Sequence, residues 1–252
     1  MLIRSLWLAL CLSLAAPAAW AETLHFVTEE FPPFTFARGA QVGGAITEVV
    51  QAVCTHLQFN CSFAVYPWRR SLQLAEEGQA DGIFTVIDAP ERQRAFHITP
   101  MIVTSRYDVY SLRGNEFDYR QPSDMRGKVI GVYGPSGTSF VLGQVLKDVE
   151  DVQIQMTTNN QRLMLMLNAG RFGRNGLVVL NSDVARHLTT HNASYRVRRA
   201  GHLAEISYGI GFSRKKVSEA QFQAFTQGLQ QLTAQGRVAT ILRSHGLNPA
   251  QP

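Results

Sequence analysis

The chain has 252 residues, 45% of them hydrophobic and 17% charged, and its 24 basic and 19 acidic residues give a formal net charge of +5. That length suffices for one large domain or two lobes of ordinary size. The mild excess of positive charge is spread out, and no Lys/Arg block with interleaved aromatics marks a nucleic-acid surface.

Arg4, the apolar run Leu6 to Ala16 and the small-x-small step Ala19-Trp20-Ala21 form a secretory signal pattern over residues 1–21. The run is too short to span a bilayer, and no later segment reaches the roughly 18 apolar residues that would do so. Cys11 follows Leu10 within the run, where a lipid-attachment site would need a small residue. The mature chain is expected to start near Glu22, in the periplasm. Cys54 and Cys61 then remain. An even count in an exported chain points to a disulfide, and the competing reading, a metal pair, lacks a suitably spaced His or third Cys.

Strand-like and helix-like segments alternate almost to the end, which predicts an α/β architecture. Thr23 to Thr28 reads as a strand, Ala45 to Leu57 as a helix and Cys61 to Tyr66 as a strand. Trp68 to Glu77 reads as a helix, Ala80 to Ile87 as a buried strand and Pro100 to Leu112 as a long extended run. After the polar loop Arg113 to Pro122 come strands Lys128 to Val132, Val152 to Met156, Leu177 to Leu180 and Tyr195 to Arg199. Between them lie helices from about Thr138 to Leu146, Gln161 to Ala169 and Ser182 to Thr190. A second extended run, Ile206 to Phe212, precedes helices Glu219 to Ala234 and Val238 to Ser244, with Gly246 as a C-cap. Two extended runs flanking an intact α/β block predict two lobes joined by two crossing strands. Residues 22–112 plus 203–252 would form lobe 1, and residues 113–202 lobe 2. Such a cleft can close on a ligand.

Candidate site residues cluster at element ends. Phe31 and Trp68 each follow a strand, where ligands collect in open α/β sheets. Their aromatic faces could carry the apolar body of a ligand, although Phe31 and Phe34 could equally plug a core. Thr85 ends a strand, and the loop beyond it brings round Arg92, whose planar guanidinium can fork a carboxylate. A surface salt bridge is the alternative for Arg92 and the natural one for Arg94. Gly134 to Ser139 opens a helix and offers free N–H groups to an anion, while Thr138 or Ser139 could serve simply as an N-cap. Asn181-Ser182-Asp183 opens another helix, where Asp183 either accepts from an ammonium or favours the helix dipole. Glu48 is read as solvent-facing. His97, His187, His191 and His202 show no metal spacing, and no nucleophile sits beside a base.

In order along the chain, these motifs resemble the exported solute-binding proteins of amino-acid ABC importers. They are Pro32-Pro33-Phe34, Leu74…Gly78…Asp81, Pro90-Glu91-Arg92, Asp124-Met125-Arg126-Gly127-Lys128-Val129-Ile130-Gly131-Val132, Gly137-Thr138-Ser139, Tyr208-Gly209-Ile210 and Gly236-Arg237-Val238. The resemblance implies the two-lobed type II periplasmic binding fold, with two mixed sheets joined by two hinge strands. By the same resemblance Arg92 pairs with a ligand α-carboxylate, Thr138 and Ser139 answer from the other lobe, Phe31 and Trp68 sandwich the ligand, and Thr85 is the polar residue at a strand end. The Cys54/Cys61 pair looks like the disulfide of the basic-amino-acid and histidine binders. The chain departs from the pattern where the acidic partner of the α-ammonium should stand. Asn181 or Ser182 falls there, with Asp183 out of register, and Ile87 replaces a Ser/Thr.

The resulting expectation is a non-enzymatic, cofactor-free monomer that captures a small carboxylate or amino-acid ligand and delivers it to an inner-membrane ABC permease. A sensory receptor is the alternative partner. A dehydratase on the same scaffold, with Asp183, Asp88 or Glu30 as general acid, is the third reading.

Overall fold

The computed structural model describes residues 23–251, so the proposed export signal over 1–21 lies outside the described residues. The described residues open with β1 (Thr23–Thr28), a short hairpin of β2 (Phe36–Arg38) and β3 (Gln41–Gly43), then α1 (Ala45–His56) and β4 (Asn60–Val65). Next come α2 (Trp68–Glu76), β5 (Gly82–Val86), α3 (Pro90–Ala95) and β6 (Phe96–Ile98), followed by the long β7 (Val103–Leu112). A second block comprises β8 (Val129–Tyr133), α4 (Gly137–Val145), β9 (Gln153–Thr157), α5 (Asn160–Asn168), β10 (Leu177–Asn181) and α6 (Ser182–His191). β11 (Val197–Ser213) then returns to the first block, which α7 (Glu219–Ala234), α8 (Arg237–Ser244) and β12 (Asn248–Pro249) complete.

The strand order is β4-β1-β5-β11-β7-β10-β8-β9, with β6 on β11 and β12 on β7. β4, β1 and β5 are parallel, as are β10, β8 and β9. Between these sets β11 and β7 run antiparallel to each other and to their outer neighbours. The two-lobed α/β arrangement is therefore present, with β7 and β11 as the crossing pair. The separate strands expected at Tyr195 to Arg199 and Ile206 to Phe212 form one strand of 17 residues. Register shifts at Arg199/Gly201 and His202/Ala204 interrupt the side-chain alternation, which conceals the continuity in the sequence.

Alternation along the inner strands builds the cores. Leu177 and Val179 of β10 join Ile130, Val132 and Leu142 on one face, while Val178 and Leu180 join Leu163, Leu167 and Val184 on the other. In the first block Phe26 is ringed by Phe63, Phe84, Phe212 and Phe225, with centroids 5.5 to 6.2 Å away. On the opposite face of β1, Val27 packs with Trp68, Ile83 and Val86, and Tyr133 of the second block enters the same cluster. Glu48 is exposed and pairs with His245 at 3.0 Å.

Asp108 on β7 is fully buried and gathers three cationic or titratable neighbours. Arg199 reaches it with Nε at 2.6 Å and Nη2 at 3.1 Å, Arg106 with Nε at 3.1 Å and His202 with Nδ1 at 3.3 Å. Its register partners are Leu180 of β10 and His202 of β11, so the cluster joins β7 to β11 at a level that β10 shares.

Cys54 on α1 and Cys61 on β4 form the expected disulfide across a sequence separation of 7. A loop that short removes only about 2 kcal/mol of unfolded-state freedom. Replacing both cysteines by serine should lower the urea unfolding free energy by about that amount and leave a cooperative, folded protein. Equilibrium denaturation of the double variant against the oxidised wild type measures it.

Candidate functional site

A small cavity of about 20 Å³ lies where the two blocks meet, large enough for about one water molecule. The first block supplies Glu29, Phe31, Trp68, Thr85, Ile87 and Arg92. The second supplies Tyr133, Ser136, Gly137 and Thr138, and the crossing strands contribute Tyr107 and Tyr208.

Each first-block residue is placed by an element end. Phe31 follows β1 and stacks on Phe34 at 5.0 Å, with Tyr208 edge-on at 5.8 Å. It is thus both core and cavity wall, whereas Phe34 is wholly core. Trp68 opens α2 and is 5% exposed, and its indole Nε1–H has no partner among the described residues. Thr85 is the extra residue of a β-bulge, since Gly209 pairs with Val86 and Ile210 with Phe84. Its φ of +68° places a β-branched residue in the left-handed region, at a cost of about 1–3 kcal/mol. By alternation Thr85 shares the face of Ile83, which packs with Trp68 and Tyr133, and the bulge returns Val86 to that face as well.

Arg92 sits in α3, which starts at Pro90, a favoured first helical position. Its guanidinium is half-buried and donates from Nη1 to Glu76 Oε1 at 3.2 Å. Burial lowers its pKa from the usual value and Glu76 and Glu91 oppose that, so the group remains cationic.

The second block meets these residues with a helix start. α4 begins at Gly137 and is capped by Ser136, whose Oγ accepts from Ser139 N while Ser139 Oγ accepts from Ser136 N at 2.9 Å. The cap thus falls on Ser136, ahead of the Thr138 or Ser139 considered from sequence. Ser139 is consumed in this capping box and does not line the cavity. Thr138 does, and it hydrogen-bonds Tyr107. A Cβ at Gly137 would stand 3.2 Å from Tyr107 Oη and 3.4 Å from Ile87, so this position leaves no slack between the blocks.

Asn181 and Asp183 lie behind the tyrosines, outside the cavity. Asn181 caps α6 by accepting from Asp183 N and Val184 N, and donates to Ser105 Oγ at 2.9 Å and Tyr208 Oη at 3.1 Å. Tyr208 Oη passes its hydrogen bond to Tyr107 Oη at 3.0 Å. Asp183 accepts from Ser105 Oγ and pairs with Arg186 at 2.9 Å. The structure therefore brings Phe31, Trp68, Thr85, Arg92 and Thr138 together and leaves Ser139, Asn181 and Asp183 as supports.

Sequence reasoning overlooked Glu29 and Tyr133. Tyr133 Oη donates to Glu29 Oε2 at 2.7 Å and also bonds the Trp68 backbone, bridging the blocks at the free N-terminus of α2. Glu29 is 7% exposed, and among the described residues no cation forms an ion pair with it. Burial raises its pKa from 4.5 to about 8, with the Tyr133 hydrogen bond pulling the other way. A signal was available, because Glu29 stands two residues beyond Val27 and so continues the face that packs on Trp68.

The sequence matches, over residues 24–248, the family described as bacterial extracellular solute-binding proteins, family 3. The chain belongs to that family. A histidine kinase sensor domain similar to periplasmic binding proteins superposes with TM-score 0.80 at 16% identity, covering 90% of this chain and 98% of that one. The arginine-, lysine-, histidine-binding protein ArtJ from Geobacillus stearothermophilus gives 0.77 at 15% identity, covering 90% and 97%. AbpA, an amino-acid ABC transporter substrate-binding protein from Streptococcus pneumoniae solved with L-arginine, gives 0.76 at 18% identity, covering 88% and 94%. No curated protein matches the sequence. At these identities the neighbours establish the fold. Among the described residues of this solute-binding protein, no helix is long and apolar enough to cross a membrane, and no group of three or more His, Cys, Asp or Glu could hold a metal.

Glu29 also sets a pH dependence. Between pH 4.5 and about 8 the folded protein keeps a proton that the unfolded chain has released. Stability from this group is therefore full below 4.5 and falls as pH rises toward 8. Glu29→Gln keeps the acceptor for Tyr133 and removes the titration. Melting temperatures at pH 5, 6, 7 and 8 should decline for the wild type relative to the variant, and parallel curves would contradict the buried acid.

Proposed function

We propose that this solute-binding protein, exported to the periplasm, captures a small carboxylate, amino-acid-like in size, between its two lobes without turning it over. Residues 22–112 with 203–252 act as lobe 1 and 113–202 as lobe 2. The observation that carries the reading is Arg92, a guanidinium using one of its donors on Glu76 and lining the same cavity as the N-terminus of α4. A guanidinium and the free N–H groups of a helix start, approaching from opposite sides, form a clamp for an anionic group. Phe31 and Trp68 would flank the ligand body, with Thr85 and Thr138 as hydroxyl partners. Ser139, Asn181 and Asp183 would act through the capping box and the tyrosine wall. A ligand larger than water enters only when the walls part, and reclosure over it would be driven by contacts made by both lobes at once.

Delivery to an inner-membrane ABC permease is the transport reading, supported by the family and by the amino-acid transporter neighbours. A sensory role is the second reading, supported by the similarity to a histidine kinase sensor domain. Arg92→Ala should abolish the thermal stabilisation that amino and organic acids give the wild type. A ligand that stabilises both proteins equally overturns the clamp. For transport, deleting the gene should eliminate uptake of the radiolabelled stabilising ligand by whole cells. Unchanged uptake with a lost transcriptional response favours the receptor.

A further inference from the structure

The cavity contains a buried carboxyl that Arg92 does not neutralise. Glu29 and Arg92 line the same space, yet no ion pair joins them, and Arg92 turns to Glu76. A carboxylate out of water is costly unless a cation or several donors meet it. Glu29 has one donor, the Tyr133 hydroxyl, among the described residues. The surfaces around it are aromatic, with Phe31, Trp68, Tyr107, Tyr133 and Tyr208 lining the same cavity. A carboxylate among aromatic rings is the chemistry that holds an ammonium, by ion pairing and by attraction to ring faces. The acidic position expected on the second lobe cannot do this, because Asn181 is spent on Ser105, Tyr208 and its helix cap. Asp183 is likewise committed to Ser105 and Arg186.

We propose that Glu29, on the first lobe, is the specificity-determining residue that takes a cationic nitrogen of the ligand, replacing the Tyr133 hydroxyl and making the site selective for an ammonium-bearing solute. This inference rests on the reading of the cleft as a ligand site and extends it. The groups facing Glu29 from the packed elements are the phenols Tyr107, Tyr133 and Tyr208, with Arg92 as the charged residue of the lining. Burial keeps the carboxyl protonated to about pH 8. Entry of an ammonium therefore ionises it, and the carboxyl proton leaves to solvent as the ion pair forms. Ligand capture near neutral pH releases a proton.

The test uses matched probes, histidine with histamine and imidazolepropionate, and alanine with ethylamine and propionate. Each is titrated into wild type, Glu29→Gln and Arg92→Ala by thermal shift and calorimetry. The expected result is stabilisation of the wild type by an amine-bearing probe, with affinity reduced about 10- to 100-fold in Glu29→Gln. Propionate, which carries no basic nitrogen, should bind wild type and Glu29→Gln alike. If imidazolepropionate or propionate binds as well as its amino acid, and equally to Glu29→Gln, the ammonium site is overturned while the carboxylate clamp stands. If histamine or ethylamine binds wild type and Arg92→Ala equally and fails with Glu29→Gln, the clamp falls and the ammonium site stands. No shift with any amine-bearing probe overturns the proposal. A measurement on wild type alone guards against a misfolded variant. Binding heats at pH 7 should differ between phosphate and Tris by an amount matching proton release, and identical heats overturn the proposal.

Discussion

The antiparallel ladder between β7 and β11 is the constraint on which the molecule depends. Its register runs from Val197 opposite Leu112 to Tyr208 opposite Val103, passing from one block to the other with shifts only at Arg199/Gly201 and His202/Ala204. Each parallel set has its own helices and hydrophobic layers, but neither closes the cavity alone. The ladder supplies Tyr107 and Tyr208 between them, and its continuity brings α3 and α4, far apart in sequence, to opposite sides of one space. Loops could join the blocks but would not hold two helix starts in register.

Within that space the chemistry is asymmetric. Arg92 and Glu29 are both stationed in the wall contributed by the first block, each turned to a partner other than its neighbour. The second block brings hydroxyls, a helix start and a phenol that reaches across. Two strained or unsatisfied features sit in the same wall: the left-handed Thr85 and the unpaired Trp68 Nε1–H. Such features cost stability and persist where the surrounding structure holds them, commonly at sites that act on other molecules.

Much of this was legible in the sequence because the elements obey local rules. The strand Thr23–Thr28 follows from its β-rich composition and the helix Glu219–Ala234 from its periodicity, and Phe31, Trp68, Thr85 and Arg92 were locatable because each stands near an element end. Local rules fail where partners are distant. Glu29 bonds Tyr133, which lies 104 residues further on, so alternation from Val27 marks its face but not its partner. The hairpin Phe36 to Gly43 and the helix Pro90–Ala95 are too short to show a period. Asn181 and Asp183 mark a helix start whichever way their side chains turn, so sequence could place them at the site but not say which side of the tyrosines they occupy. The length of β11 was hidden by its own bulges.

Asp108 has a mechanical consequence. Its cluster ties β7 to β11 on the second-block side of the ladder, and the bulge at His202/Ala204 lies directly beside it. Toward the first block, residues 103–107 and 204–208 continue the ladder with no further register shift. Tyr107 and Tyr208 stand in that regular stretch, their hydroxyls joined at 3.0 Å. The part of the cavity lining that the crossing strands supply is thus built into the continuous sheet, whereas Arg92 and Thr138 come from helices outside it.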